Sequence, residues 1–238
     1  MADAKISSLT AVTTIKSTDL LPIVVNMETT PETDAISGAS LATGWTADAS
    51  TWTYASASTF TIAGNVTTTY KPGVKLRWTQ TTIKYGTVRS SAYSAPNTTV
   101  TIVINTDYTI ANAAITVNSY SYSANPQNFP GWFNYAPTIT WTAGIAPSSP
   151  TVNLAQYNIQ GSMCTVNFFW AGTAGATVTA VTWSLPVTPA PTLQCSNGMI
   201  NISATPNATY ADISASTLRL ACTSGSHSRA LGNATFSW

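Results

Sequence analysis

Along most of this chain apolar and polar residues alternate with a period of two. The pattern is clearest at Val74-Lys75-Leu76-Arg77-Trp78-Thr79, where strict alternation predicts a strand with one face buried. Runs at 59–62, 82–88 and 99–104 repeat it, separated by Gly64, Pro72-Gly73 and Pro96-Asn97. Those separators carry turn chemistry, since Pro presets φ and Gly accepts a positive φ. Alternation resumes at 164–170, 178–185, 200–202, 218–222 and 234–238. No stretch sets apolar residues at i, i+3, i+4 and i+7 between helix caps, so little helix is expected. The chain reads as all-β.

Punctuation divides it into an extended N-terminal arm (1–43), a central antiparallel β domain (44–143), a linker (144–151) and a C-terminal β-sandwich (152–238). The linker is read from Gly144-Ile145-Ala146-Pro147-Ser148-Ser149-Pro150-Thr151, whose two prolines interrupt a ladder. Short strands with frequent turns beyond it suggest the sandwich. In the arm, Leu20, Leu21, Ile23, Val24 and Val25 precede three acids, Glu28, Glu32 and Asp34. Five apolar residues are too few for a core, so they are expected to be buried against another chain or domain. The alternative is a strand of the following domain.

Composition adds one constraint. Charged residues are 7% of the chain, against about 25% in ordinary soluble proteins, and Thr, Ser, Ala and Asn take their place. Hydroxyls and short amides hydrate without charge, and β-branched Thr favours extended backbone. A net charge of +1 gives little repulsion between copies, so self-association is expected. The nine Lys and Arg are scattered, which leaves no footprint for nucleic acid. No long apolar run follows Met1-Ala2-Asp3-Ala4-Lys5, so a chain made in a cytosol is expected, with neither secretory signal nor membrane insertion. The five sequons, at Asn65, Asn97, Asn201, Asn207 and Asn233, are then products of a Thr- and Ser-rich composition.

Candidate chemistry is sparse. Cys164, Cys195 and Cys222 show no metal-ligand spacing, leaving buried thiols or one bridge as the readings. The sole histidine, His227, sits in Ser224-Gly225-Ser226-His227-Ser228 without a Gly-x-Ser-x-Gly elbow and reads as a loop residue. Dispersed carboxylates offer no obvious acid–base pair for glycoside hydrolysis. No enzyme, metal or cofactor is expected. Aromatic residues are more suggestive, because sugar rings stack on Trp and Tyr while their hydroxyls meet Asn, Thr and Ser. Trp132, Phe133 and Tyr135 form one candidate cluster for stacking on glycan, and Trp170 and Trp183 another; core or intersubunit packing is the competing reading.

One resemblance adds to this. The ordered series Thr51-Trp52-Thr53-Tyr54-Ala55-Ser56, Phe60-Thr61-Ile62-Ala63-Gly64, Lys71-Pro72-Gly73-Val74-Lys75-Leu76, Lys84-Tyr85-Gly86-Thr87-Val88 and Tyr122-Ser123-Ala124-Asn125-Pro126-Gln127-Asn128-Phe129-Pro130-Gly131-Trp132-Phe133 resembles a domain of tailed-bacteriophage appendage proteins over residues 44 to 135. Ile6 to Leu9 and Asp19 to Val25 resemble the N-terminus of such proteins. The resemblance implies a homotrimeric virion protein of a tail, baseplate or neck fibre. Its arm, Leu20 to Val25, would attach to other virion proteins and its distal domain could contact host-surface polysaccharide. A capsid decoration or head fibre with a purely architectural role is the alternative.

Overall fold

The computed structural model describes residues 20–25, 32–37, 43–142, 148–190, 210–214 and 217–238. It is all-β and sandwich-like. Strands β1 (Leu20–Val25) and β2 (Glu32–Ser37) pair with each other as a two-stranded antiparallel sheet. Leu20, Leu21, Ile23, Val24 and Val25 therefore lie in one strand of a hairpin rather than in a single extended arm. The pairing satisfies backbone groups that an isolated extended segment would leave to water.

The first large sheet comprises β3 (Thr46–Ala47), β4 (Thr53–Ser56), β5 (Thr59–Ala63), β6 (Lys75–Gln80), β7 (Thr82–Ser94), β8 (Asn97–Ile102) and β9 (Thr116–Ser121), in the order β3-β9-β6-β7-β8-β5-β4. β7 organises it. Residues 82–87 pair with β6, and the strand continues past a bulge at Arg89 to pair with β8. The expected turns occur at Gly64 and Gly73, both at positive φ. Trp52, Phe60, Tyr70, Leu76, Trp78 and Ile102 are central to the core on one side of this sheet. Gly86 makes room there: a Cβ would come within 3.3 Å of the Trp78 ring.

The second sheet comprises β10 (Phe133–Asn134), β11 (Ile139–Thr142), β12 (Ser148–Gln160), β13 (Met163–Ser184), β14 (Tyr210–Ser214) and β15 (Thr217–Ser237). Its order is β10-β12-β13-β15-β14, with β11 also on β13. Four expectations are corrected here. Residues 148–151 open a strand rather than ending a linker, with Pro150 falling where the register shifts between Ser148 and Thr151, the kind of irregularity that accommodates a missing N–H. β10 and β11 belong to the second sheet, so the boundary lies before Phe133, not at 144. The short strands expected at 164–170 and 178–185 are one continuous strand, as are those at 218–222 and 234–238. His227 accordingly lies in β15 opposite Gly175, not in a loop. Residues 143–147 and the strand expected at 200–202 lie outside the described residues, as does Cys195; Cys164 is buried as a free thiol.

The two large sheets are not independent. An aromatic layer joins the back of the first to the inner face of the second: Trp45 and Phe129 each lie about 6 Å from Tyr85, Phe129 and Tyr108 contact Phe133, and Phe133 stacks on Tyr157 at 5.5 Å. Lys75 crosses this layer. It occupies the polar phase of β6 yet is 2% exposed, because the second sheet covers that face. Its Nζ donates to the Ile159 carbonyl of β12 at 2.7 Å and lies 5.1 Å from the Phe129 ring centroid.

Burial in this layer lowers the Lys75 ammonium to about 8, only partly opposed by Cys164, while burial pushes the Cys164 thiol up to about 12. The unfolded lysine keeps its proton to about 10.5, so above pH 8 the unfolded state binds more protons and stability rises with pH. Above about pH 9 Cys164 opposes the rise, since the unfolded thiol ionises first. Denaturant unfolding at pH 7.5 and 9.0 should show a gain of about 1 kcal/mol relative to Lys75→Met, and the variant should be at least as stable at pH 7.5. Equal pH dependence in both proteins would refute the assignment.

Asp48 holds the first core's edge. Its carboxylate accepts bonds from the Tyr70 hydroxyl, from Trp52 Nε1 at 2.8 Å and from the Ser50 backbone N–H at 2.8 Å. Burial alone would raise its pKa, but these bonds together hold it below the ordinary value. Asp48→Ala leaves the Trp52 and Tyr70 donors without that acceptor and should cost about 2–3 kcal/mol in denaturant unfolding; a loss below about 0.5 kcal/mol would mean the cluster relaxes freely.

Candidate functional site

The second sheet is strongly two-faced. Tyr157 and Ile159 on β12, Cys164, Val166, Phe168 and Trp170 on β13, and Ala234 and Phe236 on β15 point into the core between the sheets. The intervening residues point outward and fall into register. Asn134, Gln156, Asn167 and Asn233 form one row across β10, β12, β13 and β15. Asn158, Thr165 and Thr235 form the next. Strand spacing makes the first row about 14 Å long.

Local bonds order this face. Gln156 Nε2 donates to Asn134 Oδ1 at 2.9 Å, and Asn134 Nδ2 donates to Asp107 Oδ1 at 2.8 Å. Asp107 also accepts from the Asn134 backbone N–H at 2.6 Å, which fixes the short edge strand β10. Asn158 donates from Nδ2 to the Gly131 carbonyl, and the Thr165 and Thr235 hydroxyls are 2.9 Å apart. Both rows consist of neutral groups that donate and accept together.

Trp132 follows Gly131, whose carbonyl accepts from Asn158 of the second row. It is 41% exposed, and Asn134 is exposed too, while Phe133 between them is buried. The other four aromatic candidates are corrected. Phe133 is 2%, Tyr135 6%, Trp170 1% and Trp183 0% exposed, so none can offer a ring face to a ligand. Each has a packing role instead. Trp183 Nε1 donates to the Tyr135 hydroxyl at 2.7 Å, Phe168 lies 5.4 Å from Trp183, and Trp141 meets Trp170 edge-on at 4.6 Å. The sequence could not separate these cases, because Trp132 and Phe133 are adjacent and only the phase of a two-residue strand decides which one faces out.

The amide rows were missed from sequence although their signal was present. Gln156-Tyr157-Asn158 and Thr165-Val166-Asn167 alternate, but alternation does not give the register that aligns them. Asp48 and Asp107 serve the scaffold: Asp48 accepts from Trp52 and Tyr70, and Asp107 accepts from Asn134. Among the described residues no three His, Cys, Asp or Glu side chains gather as a metal site, and no helix is long and apolar enough to cross a membrane. Comparisons with protein-family models, with curated proteins and with solved structures each found no match.

The burial difference is directly measurable. Trp183→Ala should lower stability by about 3–5 kcal/mol, whereas Trp132→Ala should stay within about 0.5 kcal/mol of the parent, both read by denaturant unfolding.

Proposed function

We propose that this chain is a non-catalytic structural component of a bacteriophage particle that assembles with copies of itself, as a trimer, and contacts host-surface polysaccharide through the outer face of its second sheet. The contact function is carried by the paired neutral rows beside Trp132. A sugar chain offers hydroxyls that both donate and accept, which matches carboxamides and Thr hydroxyls, and it offers C–H faces that match an exposed indole. Charge would add nothing to recognition of a neutral polysaccharide, and the rows contain none.

The phage assignment rests on the ordered motifs of residues 44 to 135 and on the segment around Leu20 to Val25. The non-catalytic reading is supported by the use of Asp48 and Asp107 as acceptors within the scaffold. Self-association is supported by the charge-poor surface and by exposed large apolar side chains such as Ile83, Ile104 and Val117. A single shallow face of this kind binds one sugar chain weakly, near the millimolar range that corresponds to about −4 kcal/mol. Three copies on one particle would raise the avidity without new contacts.

The solution mass should be three times the 25.0 kDa of one chain. On a glycan array the intact protein should bind a polysaccharide fragment, and Trp132→Ala should reduce that signal at least tenfold with the oligomer unchanged. Absence of binding by the parent, or equal binding by Trp132→Ala, would remove the glycan contact. Antibody labelling of assembled particles then decides between appendage and shell, with label confined to the capsid favouring a purely architectural decoration.

A further inference from the structure

The charges of this chain are few but unevenly placed. Residues 1–43 hold two lysines against five acids, a net −3, whereas residues 44–238 hold seven cations against three acids, a net +4. Within the first part, Glu32 and Asp34 lie in β2, and the register sets them beside Val25 and Ile23 of β1. The hairpin thus carries acid and apolar residues side by side. A two-stranded hairpin has too little apolar contact to be stable alone in water and needs a surface to cover it.

The complementary surface lies at the junction of the two large sheets. The β7–β8 register steps from Val88 opposite Ile102 to Ser90 opposite Thr101, which leaves Arg89 as the extra residue of a bulge. Bulges re-aim the side chain they insert. Arg89 lines a pocket of about 270 Å³ together with Ile104, Tyr135, Leu185, Val187 and Thr188. Its one hydrogen bond among the described residues runs from Nη2 to Thr188 Oγ1 at 3.3 Å, so most of the guanidinium's five donors are unused. Beside it Ile104 is 54% exposed. A cation and an apolar side chain are offered together, as an acid and an apolar side chain are on the hairpin. Ile104 and the pocket beside it are exposed in the single chain, which leaves the face available to a second copy.

We propose that the Arg89–Ile104 pocket receives the β1–β2 hairpin of a second copy of this chain, with a β2 carboxylate on the guanidinium and β1 covering Ile104. This rests on the self-association in the functional reading above and gives it a contact. Arginine suits the role because its planar fork binds a carboxylate through two bonds. A half-buried site at a sheet junction is screened less by salt than an open surface pair.

Charge exchange in the full-length protein tests this. Arg89→Glu alone, and Glu32→Lys with Asp34→Lys alone, should each weaken association at least tenfold by sedimentation. The three substitutions combined should restore it to within about threefold of the parent. In case a reversal impairs folding, a second measurement uses the otherwise unaltered chain with Ile104→Cys and Leu21→Cys: oxidation should give covalently joined chains on a denaturing gel. An unchanged mass for Arg89→Glu in an oligomeric parent would overturn the contact while leaving assembly intact. Failure of the combined variant to recover would do the same, as would a cross-link formed only within one chain. A parent that sediments as one chain would instead sink the self-association beneath it.

Discussion

An ammonium group sealed between two sheets sets the terms for this molecule. Lys75 lies on the strand at the heart of the first sheet, and its one bond within the described structure reaches the backbone of the second, at Ile159. The charge has lost most of its hydration and gains back only a carbonyl and the face of Phe129. That loss of hydration is offset only by the apolar burial of the layer around the ion, so the fold needs the layer to stay closed. Closure in turn requires Trp45, Tyr85, Phe129, Phe133 and Tyr157 to stay in contact. The two sheets are thereby tied as one body.

That dependence explains what could be read from the sequence and what could not. Strand identity was legible because period-two alternation directly reflects a face that excludes water, and Val74, Leu76 and Trp78 are buried as their phase requires. Lys75 was not legible as a buried group, since alternation reports one covered face and is silent about a second. The turn between β6 and β7 went unmarked for a related reason: it is made at Thr81, a non-Gly residue at positive φ, with neither Gly nor Pro to announce it. Pro150 misled in the opposite direction. It reads as a breaker, yet a register shift absorbs it within β12.

The candidate site shows the same division. The residue types were visible, Trp with Asn and Thr, but their usefulness depends on which of two adjacent aromatic residues faces outward and on which amides stand in line. Both are fixed by pairing between strands far apart in sequence, as when Asn167 meets Asn233. The inward partners of those same strands fill the core with Trp170, Phe168 and Tyr157. One register therefore serves both faces, and a slip of one residue would exchange them.

The long antiparallel pair β13 and β15 also has a mechanical meaning. Met163 pairs with Ser237 at one end, and the ladder runs on through Ala171 with Arg229 toward Ser184 with Thr217. The chain enters this sheet at Phe133, opposite Tyr157, on a row that reaches Ala234 near the Ser237 end of the ladder. A pull on Ser237 along the axis of β15 would load the cross-strand bonds of 163–171 in shear, together rather than one after another.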